Sequence, residues 1–187
     1  MDSMIPDYRK LAKVADGNFQ GLSIMGHVKS IRTLLTETES HTMLDFGCGR
    51  GEAYKSPHKL YKQLGLPRAA VTLYDPAFMP TSKLPVGQFD LVVCSDVLEH
   101  LPEHEVDDFV ARLFEYAKKA VWASVCCRPA KKFFPDGRNL HTCVKPFEWW
   151  RDRFNAAHYK ETGARHTTLG LPPDEGVPFT HVLVETP

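Results

Sequence analysis

The amino-acid sequence predicts one doubly wound α/β domain built on a mainly parallel sheet. Three observations carry this. Strand-like and helix-like stretches alternate along the chain. "FDLVVCS" (89–95) is a nearly unbroken apolar run, as a strand buried on both faces requires. "LDFGCGRGE" (44–52) places three glycines directly after another short apolar strand, where such sheets bind their ligands. The length of 187 residues suits a single domain over 1–187 with one core.

The elements follow in order. Residues 1–21 are irregular, with "ADGNFQG" as a loop. From Leu22 to Leu35 the apolar residues Ile24, Val28, Ile31 and Leu35 recur at helical spacing. Residues 1–40 thus form an N-terminal helix and lid, with Tyr8 and Phe19 as candidates to cover a ligand. "TMLDF" (42–46) is the first strand, and "SPHKLYKQLG" a helix closed by Gly65. "AVTLYD" (70–75) is the second strand and "FDLVVCS" the third. Residues 103–119 form an amphipathic helix that buries Val106, Phe109, Val110, Leu113 and Phe114. "AVWASVCC" (120–127) is the fourth strand, and 128–145 a substrate-side loop containing Pro129, Pro135 and Gly137. "PFEWWRDRFNAAH" (146–158) is a helix entered through Pro146, with Phe147, Trp150 and Phe154 inward and Trp149 the more exposed ring. "FTHVLVET" (179–186) is the last strand, expected to pair with Tyr159–Thr167 as an antiparallel hairpin.

Composition narrows the function classes. Lys+Arg and Asp+Glu both number 23, so the net charge is zero, which argues against a global electrostatic footprint for nucleic acid or anionic membrane. The polar start "MDSMIPDYRK" has no secretory apolar core, and no apolar run approaches the roughly 20 residues of a membrane span. Five cysteines without CxxC spacing read as reduced thiols in a cytoplasmic protein. No sequence feature specifies an oligomeric state.

The glycine loop carries the strongest chemical signal. Gly47, Gly49 and Gly51 let the backbone turn sharply and approach a ligand closely. A nicotinamide loop would need G-x-G-x-x-G, but its third glycine position holds Glu52, and there is no Lys-Ser/Thr phosphate cradle. Asp45 beside the loop disfavours a phosphate and suits a cationic ligand such as a sulfonium or ammonium. Asp75 ends the next strand 24 residues after Gly51, where an acid accepts hydrogen bonds from ribose hydroxyls.

"LDFGCGRGE", "LYDPAF" and "FDLVVCSDVLEHLP", in this order over residues 42–102, resemble the class I S-adenosylmethionine-dependent methyltransferases, with the pattern of the ubiquinone-biosynthesis type. The resemblance implies a Rossmann-like sheet of the seven-stranded type. It implies that Asp45, Gly47, Cys48, Gly49 and Gly51 line the methionine part of S-adenosylmethionine. Asp75 and Pro76 would lie at the ribose, Phe78 against adenine, and Cys94, Ser95 and Asp96 under the cofactor. Only 13 residues separate Asp75 from Phe89, too few for the family's usual next helix and strand, so one edge strand is expected to be missing or vestigial.

In "SDVLEHLP", a helix starting near Asp96 would put Asp96, Glu99 and His100 on one face. The favoured reading is scaffold: the acids cap the helix and the histidine packs. The second is a divalent-metal site of Asp96, Glu99, His100 and His141, as the metal-binding E-x-x-E-H members of the family imply. The third makes His100 or His141 the catalytic base for an acceptor hydroxyl. Residues 125–160 carry eight Lys/Arg against three Asp/Glu, interleaved with aromatics, which suits an anionic acceptor. In "DGRNLH" (136–141), Arg138, Asn139 and His141 are expected to reach the site. The function expected is O- or N-methylation of a small, anionic or sugar-like acceptor. The alternatives are a metal-dependent 2′-O-methyltransferase acting on RNA 3′ ends, with nucleic acid the less favoured partner, and a non-catalytic S-adenosylmethionine-binding regulator.

Overall fold

The computed structural model describes residues 5–14, 19–162 and 179–183. Its centre is a five-stranded sheet. β1 (Met43–Phe46), β2 (Val71–Tyr74), β3 (Phe89–Ser95) and β4 (Ala117–Ser124) are parallel, and β5 (Phe179–Leu183) is antiparallel on β4. The order across the sheet is β2-β1-β3-β4-β5. Around it lie α1 (Ile5–Val14), α2 (Val28–Glu37), the single turn α3 (Leu60–Gln63), α4 (Glu103–Tyr116) and α5 (Phe147–Thr162).

Strand pleating sorts the core into two layers. Leu44, Phe46, Val92, Cys94, Val121 and Ala123 face one side, where Val106, Phe109, Val110, Leu113 and Phe114 of α4 meet Trp150 and Phe154 of α5. Met43, Leu91, Val93, Ala120 and Trp122 face the other, against Ile24, Ile31, Leu34, Leu35 and Tyr54. This is the three-layer, doubly wound architecture expected. Residues 76–88 contain no strand, so β2 is the edge of the sheet among the described residues. No helix of the described residues is long and apolar enough to cross a membrane.

Several boundaries differ from the sequence reading, each for a local reason. The helix expected from Leu22 divides into a 3-10 turn, Ser23–His27, and α2, where the Ser30 hydroxyl donates to the His27 carbonyl. The helix expected in "SPHKLYKQLG" contracts to α3 because Lys59 takes a left-handed conformation, φ 47°, just before it. Gly65, also left-handed, closes that turn as expected. α4 stops at Tyr116, three residues early. Ala117 pairs with Phe89 and draws Lys118 and Lys119 into β4, so pairing with β3 overrides their helical propensity. β4 ends at Ser124 because the next backbone N–H groups turn away from the ladder; that of Cys126 donates to Glu99 Oε1 at 3.2 Å.

The last strand corrects the expected hairpin. Tyr159–Thr162 close α5, residues 163–167 lie outside the described residues, and β5 pairs with β4 through Ala120↔Leu183 to Ser124↔Phe179. On α5, Trp150, Phe154 and His158 form the buried stripe, at i, i+4 and i+8, and Phe147 is only half-buried. Trp149 is half-buried too, its ring covered by the Arg153 guanidinium at 3.2 Å and the Lys145 ammonium at 5.4 Å.

Candidate active site

The parallel strands end on one rim of the sheet, and the loops leaving β1, β2 and β3 meet there. The glycine loop after β1 is held by the neighbouring strand: the N–H groups of Gly47 and Cys48 both donate to the Tyr74 carbonyl, at 2.7 and 3.1 Å. Gly47 has φ +102°, and a Cβ there would lie 2.4 Å from Val97 Cγ2. Gly49 has φ +57°, and its Cβ would lie 2.4 Å from the Phe19 carbonyl oxygen. Only glycine meets both demands at these positions. The segment before α2 seals the loop from outside, where Arg50 N–H donates to Phe19 O at 2.9 Å and Glu52 N–H to Gln20 O at 3.0 Å.

These loops enclose a cavity of about 440 Å³. Of the expected cofactor residues, Gly47, Gly49, Asp75, Pro76, Phe78, Ser95 and Asp96 line it. Asp75 Oδ2 accepts from Gly49 N–H and its Oδ1 from Ala77 N–H, both at 2.9 Å. The carboxylate is thereby fixed on the wall, and burial raises its pKa against those two bonds. Phe78 packs beside Phe19, with the Arg50 guanidinium 5.2 Å from its ring centre. Tyr8 and Phe19, the two candidate lid residues, also line the cavity. Ser95 Oγ sits 3.3 Å from Ser23 Oγ and 3.1 Å from Ser124 Oγ.

Four expected cofactor residues stand behind the wall. Asp45 is 3% exposed, and its Oδ2 accepts the Tyr54 hydroxyl at 2.8 Å. Burial, opposed by that hydrogen bond, lifts its pKa to about 7. Cys48 and Cys94 are buried, and burial raises both thiol pKa values. Gly51 takes φ +66° against Leu73. All four shape the loop from beneath.

"SDVLEHLP" does not begin a helix. Asp96 is left-handed, φ 53°, and Leu98–His100 form one 3-10 turn. Asp96, Glu99 and His100 therefore do not share a helical face. Asp96 Oδ1 accepts the Ser124 hydroxyl at 2.9 Å and faces the cavity. Glu99 points inward: it is fully buried, and burial, reinforced by Asp96, raises its pKa to about 8. His100 Nδ1 lies 2.9 Å from the Leu140 carbonyl. A carbonyl only accepts, so Nδ1 carries the proton and Nε2 is left as the acceptor. Burial lowers the His100 pKa to about 4, and the imidazole stays neutral at ordinary pH.

The substrate-side loop packs over this turn. Thr142 Oγ1 donates to the carbonyls of His100 and Leu101, each at 2.9 Å, and Cys143 N–H donates to Glu99 O at 3.0 Å. Of the three loop residues expected at the site, only His141 arrives. Its Nδ1 lies 2.6 Å from Arg128 O, and its ring centre is 4.9 Å from that of His100. Arg138 is engaged outside, with Asp7 at 2.9 Å and Asp136 at 2.7 Å. Asn139 braces the loop: its Oδ1 accepts from the N–H groups of Ala130 and His141, and its Nδ2 donates to Ala130 O. A second cavity, about 500 Å³, opens between this loop and His100, with Arg128, Lys131, Lys132 and His141 on its wall. Phe19 and His100 border both cavities.

Sequence reasoning missed Tyr54 under Asp45, Ser124 bridging Ser95 and Asp96, Val97 against Gly47, and Cys126 beside Glu99. None stands in a local motif. Each is brought in by strand pairing or a loop crossing, and Cys126 was hidden in an apolar run that read as strand.

Residues 25–167 match the family model described as a methyltransferase domain. No curated protein matches the chain. Among solved structures, the chain is similar to magnesium protoporphyrin IX methyltransferase from Synechocystis with bound SAH, at 15% identity and a TM-score of 0.51 over 98% of this chain and 95% of that one. It is similar to the mitomycin 7-O-methyltransferase, at 15% identity and 0.54 over 94% and 57%. It is also similar to the 1,6-didemethyltoxoflavin-N1-methyltransferase from Burkholderia thailandensis with bound 1,6-didemethyltoxoflavin and S-adenosylhomocysteine, at 14% identity and 0.50 over 97% and 84%.

Proposed function

The chain belongs to the methyltransferase-domain family, and from that premise we propose that it transfers a methyl group from S-adenosylmethionine to an oxygen or nitrogen of a small anionic acceptor. The cofactor reading rests on the first cavity. Gly47 and Gly49 open room for the methionine part, Asp75 offers its remaining lone pairs to the ribose hydroxyls, and Phe78 supplies an apolar face for adenine. Ser95 and Asp96 form the floor. Two of the similar structures fit this choice, since they hold SAH or S-adenosylhomocysteine.

The observation that carries the acceptor reading is the shared border. His100 separates a cofactor-sized cavity from one walled by Arg128, Lys131 and Lys132. An acceptor held by those cations would present its nucleophile across His100 to the sulfonium methyl. The methyl is already activated, so alignment and removal of one proton are the protein's main tasks. The acceptor O–H or N–H gives its proton to His100 Nε2, a weak base that passes it on to solvent. The freed lone pair forms the new bond to the methyl carbon, and the carbon–sulfur pair stays on sulfur, leaving neutral S-adenosylhomocysteine.

The test is methyl transfer from labelled S-adenosylmethionine to hydroxylated and aminated small molecules, in matched anionic and neutral pairs. Transfer to anionic members, and a KM for them that rises about tenfold or more in Lys131→Ala/Lys132→Ala, supports the reading. His100→Asn should lose transfer by about 10²-fold or more while cofactor affinity holds. Equal transfer to neutral members would overturn the anionic specificity.

A further inference from the structure

Glu99 poses a problem that neither cavity explains. It is fully buried, its Oε1 accepts the Cys126 N–H at 3.2 Å, and among the described residues its Oε2 is buried with no hydrogen-bond partner. A buried carboxylate oxygen facing no donor is costly unless the group takes up a proton or a cation meets it. Two further donors converge on it: a carboxylate oxygen of Glu99, Cys126 Sγ and a ring nitrogen of His141 all lie within 4.8 Å of one another.

We propose that Glu99, Cys126 and His141 form a three-ligand site for a borderline transition-metal ion, zinc foremost, beside His100. The donor chemistry selects the ion. One oxygen, one nitrogen and one thiolate sulfur suit zinc, which takes such sets tetrahedrally and keeps a fourth position open in catalytic sites. Bonds of about 2.0–2.3 Å give ligand-to-ligand distances of about 3.5 Å. The half-buried Cys126 and His141 side chains therefore need to close by about an ångström. His141 Nδ1 donates to the Arg128 carbonyl at 2.6 Å, which fixes the tautomer and leaves the Nε2 lone pair for a metal. Cys126 Sγ has only a weak contact, 3.7 Å from Arg128 O.

This set differs from the divalent-metal site of Asp96, Glu99, His100 and His141 that the sequence suggested. Asp96 is turned away by its left-handed backbone and holds the Ser124 hydroxyl. His100 is tied to Leu140 O and stands edge-on to Tyr8 and Phe19. A thiolate replaces both, which favours zinc. Cys126 and His141 both line the second cavity, so the fourth position faces the acceptor side. An acceptor oxygen bound there would be polarised for deprotonation. That use of the ion rests on the methyltransferase reading; the binding of the ion does not.

Metal-free protein, reduced with a non-thiol reductant, is titrated with Co²⁺ and followed by absorption. A stoichiometric near-ultraviolet thiolate-to-cobalt charge-transfer band, displaced by Zn²⁺, is expected. The band should vanish in Cys126→Ala, persist in Cys127→Ala, and require at least tenfold more Co²⁺ in His141→Ala. Cys126 and His141 are half-buried, so their truncation leaves the core intact, and unchanged unliganded melting temperatures check this. No charge-transfer band in the wild-type protein, or a band that survives Cys126→Ala, overturns the site. S-adenosylmethionine calorimetry on the same samples separates that failure from failure of the cofactor reading.

Discussion

At the scale of single residues, the cofactor side of the rim depends on close backbone approaches. Gly47 is the clearest case, because φ +102° and the Val97 methyl 2.4 Å from its missing Cβ exclude any side chain. Gly47→Ala should cost about 1–3 kcal/mol of stability and abolish calorimetric S-adenosylmethionine binding. A variant that melts and binds like the wild type would refute the close approach. Asp45 carries a pH signature. Its ordinary value is 3.8 and its folded value is about 7, so across that interval the folded chain holds a proton that the unfolded chain has released. Its contribution to stability is present below the lower value and is lost as pH rises through the higher one. Asp45→Asn removes the ionisation. Its melting temperature should gain on the wild type as pH rises from about 4 to about 7 and hold level above that, and a pH-independent difference would contradict the assignment. An acid beside the glycine loop is legible in the sequence, but the Tyr54 hydroxyl that draws Asp45 inward is set by packing on the far layer.

Between elements, one clasp joins α1 to the substrate-side loop. The Tyr8 hydroxyl is shared between the carbonyls of His100 and Leu140, at 3.0 and 3.1 Å, and the Arg138 guanidinium reaches Asp7 at 2.9 Å. The Tyr8 ring packs edge-on against Phe19, His100 and Phe134. Tyr8→Phe keeps the ring and deletes the shared bond. It should cost about 1 kcal/mol and speed amide exchange in α1 and around Leu140, read by hydrogen exchange. Unchanged exchange at both ends would show that the clasp does not couple them. The three loop residues diverge because main-chain direction decides where each side chain goes. "DGRNLH" is polar throughout, yet Arg138 turns to Asp7, Asn139 turns to its own loop, and only His141 turns inward.

For the whole molecule, the class of fold and the rim that holds the site were legible because periodicity and glycine spacing are local signals. The parallel order of β1 to β4 and the short edge after β2 follow from them. Less legible were features set by distant partners. β4 begins at Ala117 because β3 pairs with it there, the last strand joins β4 instead of the segment after α5, and the Asp96 turn is left-handed where a helix was expected. The histidine pair was found from sequence, but the buried Glu99 carboxylate beside Cys126 required a chain crossing that no spacing reveals. The central claim is that the 440 Å³ cavity under Asp75 is the S-adenosylmethionine site. Calorimetric titration of the wild-type chain and of Asp75→Ala with S-adenosylhomocysteine tests it most directly. The account predicts single-site binding in the wild type, weakened by about 10- to 100-fold in Asp75→Ala through loss of charge-assisted hydrogen bonds. Absence of binding by the wild type at millimolar ligand, or equal affinity in the two proteins, would contradict it.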